Sequence, residues 1–280
     1  MDQPQIRSMR SVLLAWFCIA LLTSGAASAQ NFPFTADVTF YGPVAGGNCS
    51  FGVIPSGTSP FLRITAVGTP LYADSEPCGR FIEIDTTTAS CAAPPCDFTG
   101  NRVVVMISDQ LPAVSPDLDL SENAFSEIAH VDEGILLNVR WRYVPGTHSG
   151  DIELHNTPGI TPFFIHFVIQ KHNLGITEVS VRDAVDPTWH PATRDSANQW
   201  SVSTGQEFQP PLSIQITDVN GRMVTATDVV NSLAPSTKHD LGVQFDVSAA
   251  VPTGLLAGLI GALTMVAFGI LEIRRRRGRT

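Results

Sequence analysis

Charged side chains are scarce in this chain of 280 residues, where Asp, Glu, Lys and Arg together make up 15%. Globular proteins average about 25% charged residues. Disordered chains combine low hydrophobicity with high charge, whereas 44% of this chain is apolar. The composition therefore excludes disorder, and the length fits one or two folded domains.

Basic residues are scarcer still in the body of the chain. Residues 30–251 contain 10 Lys and Arg against 24 Asp and Glu, a formal charge of −14, although the whole chain carries −9. Binding to nucleic acid needs clustered Lys and Arg that neutralise phosphates. No nucleic acid partner is therefore expected.

Long hydrophobic runs are absent except near the two ends, which excludes a membrane protein with several spans. The first run, residues 12–22, follows Arg7 and Arg10 and precedes an Ala-Ser-Ala site at residues 27–29. This pattern predicts a secretory signal peptide at residues 1–29. An uncleaved anchor is the alternative, and the shortness of the run disfavours it.

The second run, residues 253–271, contains 19 residues without a charge. As a helix it would measure about 28 Å, close to the thickness of the bilayer core. Five arginines follow in the tail 274–280, which predicts a cytoplasmic tail. We therefore predict a transmembrane helix at residues 251–273 in a single-pass type I protein of the cell surface.

Two further interpretations of this end are weaker. A glycolipid-anchor signal would end in its hydrophobic tail, and the arginines after the run argue against it. A GxxxG pattern at residues 254–258 would allow a homodimer through the membrane helix. Glycine is common in membrane helices, so this pattern alone does not support dimerisation.

Metal-type cysteine spacing is also absent. The chain has no CxxC pair and its seven His are scattered, so no metal and no cofactor is expected. Outside the signal peptide there remain Cys49, Cys78, Cys91 and Cys96. In an exported protein these predict two disulfides with three conceivable pairings. Cys91 and Cys96 bracket a short loop and can close locally, which leaves Cys49 to pair with Cys78.

The sequence is rich in short runs of β-branched and aromatic residues, which predict strands at residues 81–85, 102–108, 136–144, 163–170, 176–181 and 212–217. Asn220-Gly221 between two such runs predicts a hairpin with a type I′ turn. One soluble helix is predicted, with Ser121 as its N-cap and a buried face formed by Phe125, Ile128 and Ala129.

Several motifs follow one another in the order and spacing of the expansins. In the first half these are TFYG at 39–42, GGNC at 46–49, CGRFIEI at 78–84, ISD at 107–109, LDLSENAF at 118–125 and VRWR at 139–142. In the second half, FFIHFVI at 163–169 stands where expansins have paired aromatic residues leading into a strand, and TDVNG follows at 217–221. The chain resembles the expansins over nearly all of residues 34–245.

The resemblance implies a mainly β fold, with a six-stranded double-psi β-barrel followed by an immunoglobulin-like β-sandwich and then the transmembrane helix. A turn-rich connector at residues 145–150 predicts the boundary. The expected domains are thus an expansin-like barrel at 30–146 and a carbohydrate-binding sandwich at 147–246. Expansins loosen cell walls by disrupting non-covalent contacts between glucans, and the same function is expected here.

The resemblance also implies a groove on the barrel, with Asp119 as its key carboxylate, Asp109 as a second one, and Thr39 and Tyr41 along its walls. From the residues alone, Asp119 lies two positions before the helix N-cap, where a helix terminus would lower its pKa. A general acid needs a raised pKa, which only burial could supply.

Glycoside hydrolysis needs two carboxyl groups that flank the bond. Related hydrolases take their base from the first barrel strand, where this chain has no carboxylate after Tyr41 and only Asp37 as a remote candidate. Hydrolysis is therefore disfavoured and no enzyme activity is expected. Two alternatives remain: a weak glycoside hydrolase with Asp119 as its acid, and a wall adhesin without loosening activity.

For the sandwich, alternation along residues 163–170 predicts Phe164 as an exposed platform for sugar rings, joined by Phe163 if the strand begins irregularly. Two family aromatics are missing, since Leu111 and Ser196 stand in their positions. Trp189 and Trp200 are predicted to be core residues. A strongly acidic body would be repelled by polyuronates, so cellulose or another neutral β-glucan is the expected partner.

Overall fold

The computed structural model describes residues 31–42, 47–52, 63–112 and 117–247. The predicted signal peptide, the predicted membrane helix and the arginine-rich tail lie outside these residues. Within the described ranges, no helix is long and apolar enough to cross a membrane. The described part of the chain is mainly β, with a few short helices.

The first half of the chain forms a closed barrel. Its strands are β1 (Phe34–Tyr41), β2 (Ile64–Gly68), β3 (Phe81–Asp85), β4 (Ser90–Cys91), β5 (Arg102–Leu111), β6 (Leu118–Ser121) and β7 (Leu136–Val144). Six of them pair in the order β1-β6-β2-β5-β3-β7, and β7 pairs back with β1. The pairs β1–β6 and β2–β5 are parallel. The short β4 adds to β7.

Side chains alternate along each strand between the inside and the outside of this barrel. In β6, Leu118 and Leu120 are fully buried, whereas Asp119 between them is partly exposed. In β1, Ala36 and Val38 are buried while Thr39 keeps partial exposure. Successive side chains of a strand point to opposite faces, so the polar residues of these two strands lie on the outside of a dry core.

Two short α-helices and two 3₁₀ turns interrupt the barrel strands: α1 (Thr69–Tyr72), Ala73–Ser75, α2 (Glu122–Ser126) and Val131–Glu133. Ser121 is the N-cap residue of α2, but its side chain makes no bond to the helix. Its hydroxyl instead accepts a hydrogen bond from the backbone N–H of Ile64 at 3.4 Å. The predicted buried face is fully buried, although α2 ends at Ser126, before Ile128 and Ala129.

The second half of the chain forms two packed sheets. Its strands are β8 (Glu153–Asn156), β9 (Ile165–Gln170), β10 (Ile176–Arg182), β11 (His190–Pro191), β12 (Thr193–Arg194), β13 (Trp200–Val202), β14 (Leu212–Asp218), β15 (Met223–Val230) and β16 (Lys238–Asp240). One sheet has the order β11-β10-β14-β15 and the other β12-β13-β9-β8-β16. A common apolar core between them includes Phe167, Trp200 and Ile214.

The β14–β15 hairpin is present, but the prediction of a type I′ turn is wrong. A type I′ turn needs positive φ at both central residues, and only Gly221 has one, at 75°. The Gly221 N–H closes the turn onto the Asp218 carbonyl at 2.9 Å. Asp218 Oδ1 accepts hydrogen bonds from the N–H groups of Asn220 and Arg222, which favours this longer loop.

Contacts between barrel and sandwich converge on the loop at residues 195–199. The hydroxyls of Tyr72 and Ser75 donate to the carbonyls of Ser196 and Asp195 at 2.8 and 2.7 Å. The Asn198 side chain donates to the Cys49 carbonyl at 3.1 Å. These bonds attach the loop of the sandwich directly to the segment of the barrel that carries Cys49.

Both disulfides are formed within the barrel. Cys49–Cys78 joins residues 29 positions apart and Cys91–Cys96 joins residues 5 positions apart. The longer crosslink fixes the 47–52 segment against the turn before β3, and both of its cysteines are buried.

Candidate functional site

Thr39 and Asp119 form a direct pair on the outside of the barrel. The parallel register of β1 and β6 sets them opposite each other, and the Thr39 hydroxyl donates to Asp119 Oδ1 at 2.6 Å. The sequence separation of 80 residues is bridged only by the strand pairing. A carboxylate and a hydroxyl held in this way offer hydrogen-bonding groups to a polar ligand.

Burial raises the pKa of Asp119, and the hydrogen bond from Thr39 opposes that rise. Burial, the one cause that the sequence allowed for a raised pKa of Asp119, is therefore the cause that dominates. The helix that follows is only five residues long, and the loss of water around the half-buried carboxyl group dominates.

Tyr41 lies close enough to both carboxylates to feel their charge. Burial and then the negative charge of Asp109 raise its pKa to about 12, a hydrogen bond with Ser108 opposes that rise, and the charge of Asp119 adds the smallest contribution to it. The phenol therefore stays protonated at neutral pH. This electrostatic coupling brings Tyr41, Asp109 and Asp119 into one site.

Asp109 lies near the end of β5, where its side chain is tied to the segment 47–52. Its Oδ1 accepts the N–H of Asn48 at 2.6 Å and the N–H of Gln110 at 2.7 Å. Gly47 allows this close approach because it has φ of 75° and because an added Cβ would lie 2.9 Å from Asp109 Cγ. The GGNC motif thus contributes a backbone that holds a carboxylate.

Sequence reasoning missed the amide pair beside Asp109. The Asn48 side chain donates to Gln110 Oε1 at 2.9 Å, and Gln110 Nε2 donates to the Thr69 hydroxyl at 3.2 Å. Asn48 also donates to the Ser196 carbonyl of the sandwich at 3.3 Å. The only sequence signal for this bridge was the position of Asn48 within the GGNC motif.

Phe163 and Phe164 are both exposed, at 54% and 40%. The predicted strand 163–170 begins only at Ile165, and Phe164 forms an isolated bridge with Thr161 instead. Alternation therefore does not extend back to Phe163, and the irregular start brings both rings to the surface. Behind them, Ile165, Phe167 and Ile169 are buried in the core, as alternation predicts.

Ser196 lies at the contact between barrel and sandwich. Its carbonyl is occupied by Tyr72 and Asn48. Trp200 is buried, as predicted, whereas the prediction for Trp189 is wrong. Trp189 is only partly buried and lies against the Arg182 guanidinium, 4.7 Å from its ring centre.

Metal-binding residues do not cluster in the described part of the chain, where no three His, Cys, Asp or Glu side chains lie close enough to hold an ion. The donor groups around Asp119 are hydroxyls, carboxylates and amides of the kind that bind sugar hydroxyls.

Known proteins match both halves of the chain. The Expansin C-terminal domain family matches residues 152–231. Expansin-like protein 5 of Dictyostelium discoideum is 26% identical over 215 residues, which cover 76% of this chain and 85% of that protein. Expansin-B1 of Zea mays is 26% identical over 232 residues, which cover 75% of this chain and 83% of that protein.

Two solved structures of the Clavibacter michiganensis expansin share the fold. The apo form is 22% identical and covers 76% of this chain and 97% of its own, with a TM-score of 0.61. A point mutant of it, in complex with cellohexaose, is 21% identical with the same coverage and TM-score. The shared architecture is a β-barrel followed by a sandwich of two β-sheets. The chain is similar to the expansins in sequence and in fold.

Proposed function

We propose that this protein binds and loosens cell-wall polysaccharide without hydrolysing it. The observation that carries the proposal is the hydrogen-bonded pair of Thr39 and Asp119 beside Tyr41 and Asp109, on a molecule that also exposes Phe163 and Phe164. Polar groups that bind hydroxyls and rings that stack on sugar faces are the two recognition elements that a glucan chain requires.

The proposed organisation follows the sequence prediction. A signal peptide at 1–29 exports a double-psi barrel at 30–146 and a carbohydrate-binding sandwich at 147–246, and a helix at 251–273 anchors them to the cell surface with the tail 274–280 inside. The net charge of −14 on the exported part favours a neutral target. Cellulose or another neutral β-glucan is the proposed partner, and the complex of the Clavibacter expansin with cellohexaose supports this choice.

Loosening then follows from differential binding. A groove that holds one chain by its hydroxyls, and a platform that holds its ring faces, both bind a separated chain better than a bundled one. Such a binder shifts the equilibrium toward separated chains in proportion to its differential affinity. No bond needs to break in this mechanism.

The role of Asp37 supports a non-hydrolytic mechanism. Its Oδ1 accepts the backbone N–H of Asn138 at 3.1 Å, across the irregular pairing of β1 with β7. This carboxylate therefore stabilises a residue with left-handed backbone, at φ of 56°. Such a role accounts for Asp37 without a catalytic base.

Extension of isolated cell walls, or weakening of cellulose paper, by the purified protein tests the proposal. We expect loosening by the wild type and at least a tenfold loss in Asp119→Asn, which removes the charge but keeps the shape. Asp37→Asn is the matched control, because an amide oxygen can still accept the Asn138 N–H, and it should retain loosening. A wild type that binds β-glucan but never extends a wall would instead support an adhesin.

The raised pKa of Asp119 favours one second candidate, a weak glycoside hydrolase. A raised pKa favours the protonated carboxyl group, which is the form that donates a proton to a leaving oxygen. Release of reducing ends from β-glucan by the wild type, abolished in Asp119→Asn, would establish hydrolysis and overturn the non-hydrolytic proposal.

A further inference from the structure

The surface that carries Phe164 continues along strand β9. Side chains at alternate positions share one face of a strand, so His166, Val168 and Gln170 follow Phe164 on the outer face of the sheet, where His166 and Gln170 are partly exposed and Val168 is buried. The His166 ring centre lies 5.2 Å from that of Phe164, with the two planes inclined by 31°. The two rings are therefore direct neighbours on this face.

Thr157, directly after the neighbouring strand β8, fixes the orientation of the His166 ring. Its Nδ1 lies 2.7 Å from the Thr157 hydroxyl, which also donates to the His166 carbonyl at 3.1 Å. The Thr157 N–H bonds to the same carbonyl at 3.0 Å. These contacts leave Nε2 as the outer ring nitrogen, and no partner of Nε2 occurs among the described residues.

The far end of this surface leads into a cleft between the two halves of the molecule. The cleft has a volume of about 330 Å³. Thr157, Val168 and Gln170 line it from the sandwich, and Ser50 and Phe51 line it from the barrel. A chain that lies on Phe164 and His166 is thus directed along β9 toward the barrel.

We propose that His166 is a sugar-contacting residue of the sandwich and forms, with Phe164, the platform on which a β-glucan chain runs along β9 into this cleft. The inference rests on the proposed function and deepens it by naming the residue and the direction of the chain. The imidazole face extends the apolar surface for the ring C–H groups of the sugar. Nε2 provides a hydrogen bond to a sugar hydroxyl.

Equilibrium binding of cellohexaose and of insoluble cellulose to the purified protein tests this inference. We expect His166→Ala to weaken both by about fivefold, and His166→Phe, which keeps a ring beside Phe164, to recover most of the loss. His130→Ala is the matched control, since His130 is an exposed histidine of the barrel, beside Asp132, and it should bind as the wild type does.

A measurement on the wild type guards against a folding defect in the variants. The ring-proton resonances of His166 should shift on addition of cellohexaose, whereas those of His130 should not. Wild-type affinity in His166→Ala together with weakened binding in Phe164→Ala would overturn the inference and leave the proposed function intact, as would an unshifted His166 resonance at saturation. A wild type that binds no β-glucan would overturn both.

Discussion

The proposed groove on the barrel and the proposed platform on the sandwich are built in opposite ways. Groove residues are held by bonds between distant segments, such as Thr39 to Asp119 across 80 positions and Asn48 to Asp109 across 61. The platform residues Phe163 and Phe164 are exposed because a strand begins late, which is a local event. The groove therefore depends on the integrity of the whole barrel, whereas the platform depends on one turn. Perturbations of the barrel should therefore impair the groove and leave the platform intact.

The largest such effect is expected from the Cys49–Cys78 disulfide, which ties the groove segment to the turn before β3. Its loop of 29 residues predicts a stabilisation of about 3.6 kcal/mol in the chain-entropy model, against about 2 kcal/mol for the 5-residue loop of Cys91–Cys96. Urea unfolding of the two double Ser variants measures this difference.

The functional consequence of the same variants sharpens the comparison. Cys49→Ser with Cys78→Ser should also reduce loosening, because the lost disulfide holds the segment 47–52 to which Asp109 is bonded. Cellulose binding through the sandwich should persist in this variant. Cys91→Ser with Cys96→Ser serves as the control. Equal losses of binding and loosening in the first variant would contradict the separation of groove and platform.

A smaller effect is expected at Gly47, which occupies the left-handed region at φ of 75°. Gly47→Ala adds a Cβ 2.6 Å from the Ser108 carbonyl, besides the contact with Asp109. We expect a loss of about 2 kcal/mol in unfolding free energy, from backbone strain and displacement of β5. Loosening should fall with it.

Gly52→Ala separates the two causes of that loss. Gly52 has nearly the same φ, 76°, but an added Cβ would meet nothing within 4 Å among the described residues. Its unfolding free energy should fall only by the cost of the left-handed backbone, and its groove should stay intact. An identical loss in both variants would mean that contact with Ser108 and Asp109 contributes nothing.

Several of the strands were predictable from the sequence because each depends on its own side chains. The run 136–144 predicts β7 to the residue. The similarity to the expansins could also be predicted, because the motifs recur in family order.

The failures occur where a distant residue decides the outcome. The bond from Ile64 to Ser121 replaces a helix cap, and the Asp218 carboxylate selects a longer turn than Asn220-Gly221 alone predicts. The bridge from Asn48 to Gln110 and Ser196 likewise joins three distant segments.

The third largest effect is expected from changes in the platform. We expect the double variant Phe163→Ala with Phe164→Ala to bind cellulose about tenfold more weakly, equivalent to about 1.4 kcal/mol, because two stacking surfaces are lost. Its unfolding free energy should hardly change, since both rings are exposed. Pull-down from cellulose at varied protein concentration measures the affinity.

Phe98→Ala is the matched control for this variant, since Phe98 is an exposed ring of the barrel at 36%. Its binding should equal that of the wild type. A loss of binding in Phe98→Ala as large as in the double variant would contradict a platform confined to the sandwich.

The smallest effect is expected from Thr39→Val, which removes the hydrogen bond that opposes the raised pKa of Asp119. The pKa of Asp119 should then rise further, which a carboxyl NMR titration measures directly. A carboxyl group whose pKa is higher in the folded than in the unfolded protein contributes most to stability below its unfolded pKa. That contribution is lost as pH rises through its folded pKa. The variant should therefore cost more stability at pH 7 than at pH 3, by about 1 kcal/mol at most.

Thr35→Val, on the same strand, is the matched control. The structure describes no bond from Thr35 to a carboxylate, so the stability cost of this change should not depend on pH in this range. A pKa of Asp119 that falls or stays constant in Thr39→Val would mean that the hydroxyl is not a donor to the ionised carboxylate. The groove would then have to be regarded, like the platform, as a surface set by local exposure, and the contrast between the two regions would disappear.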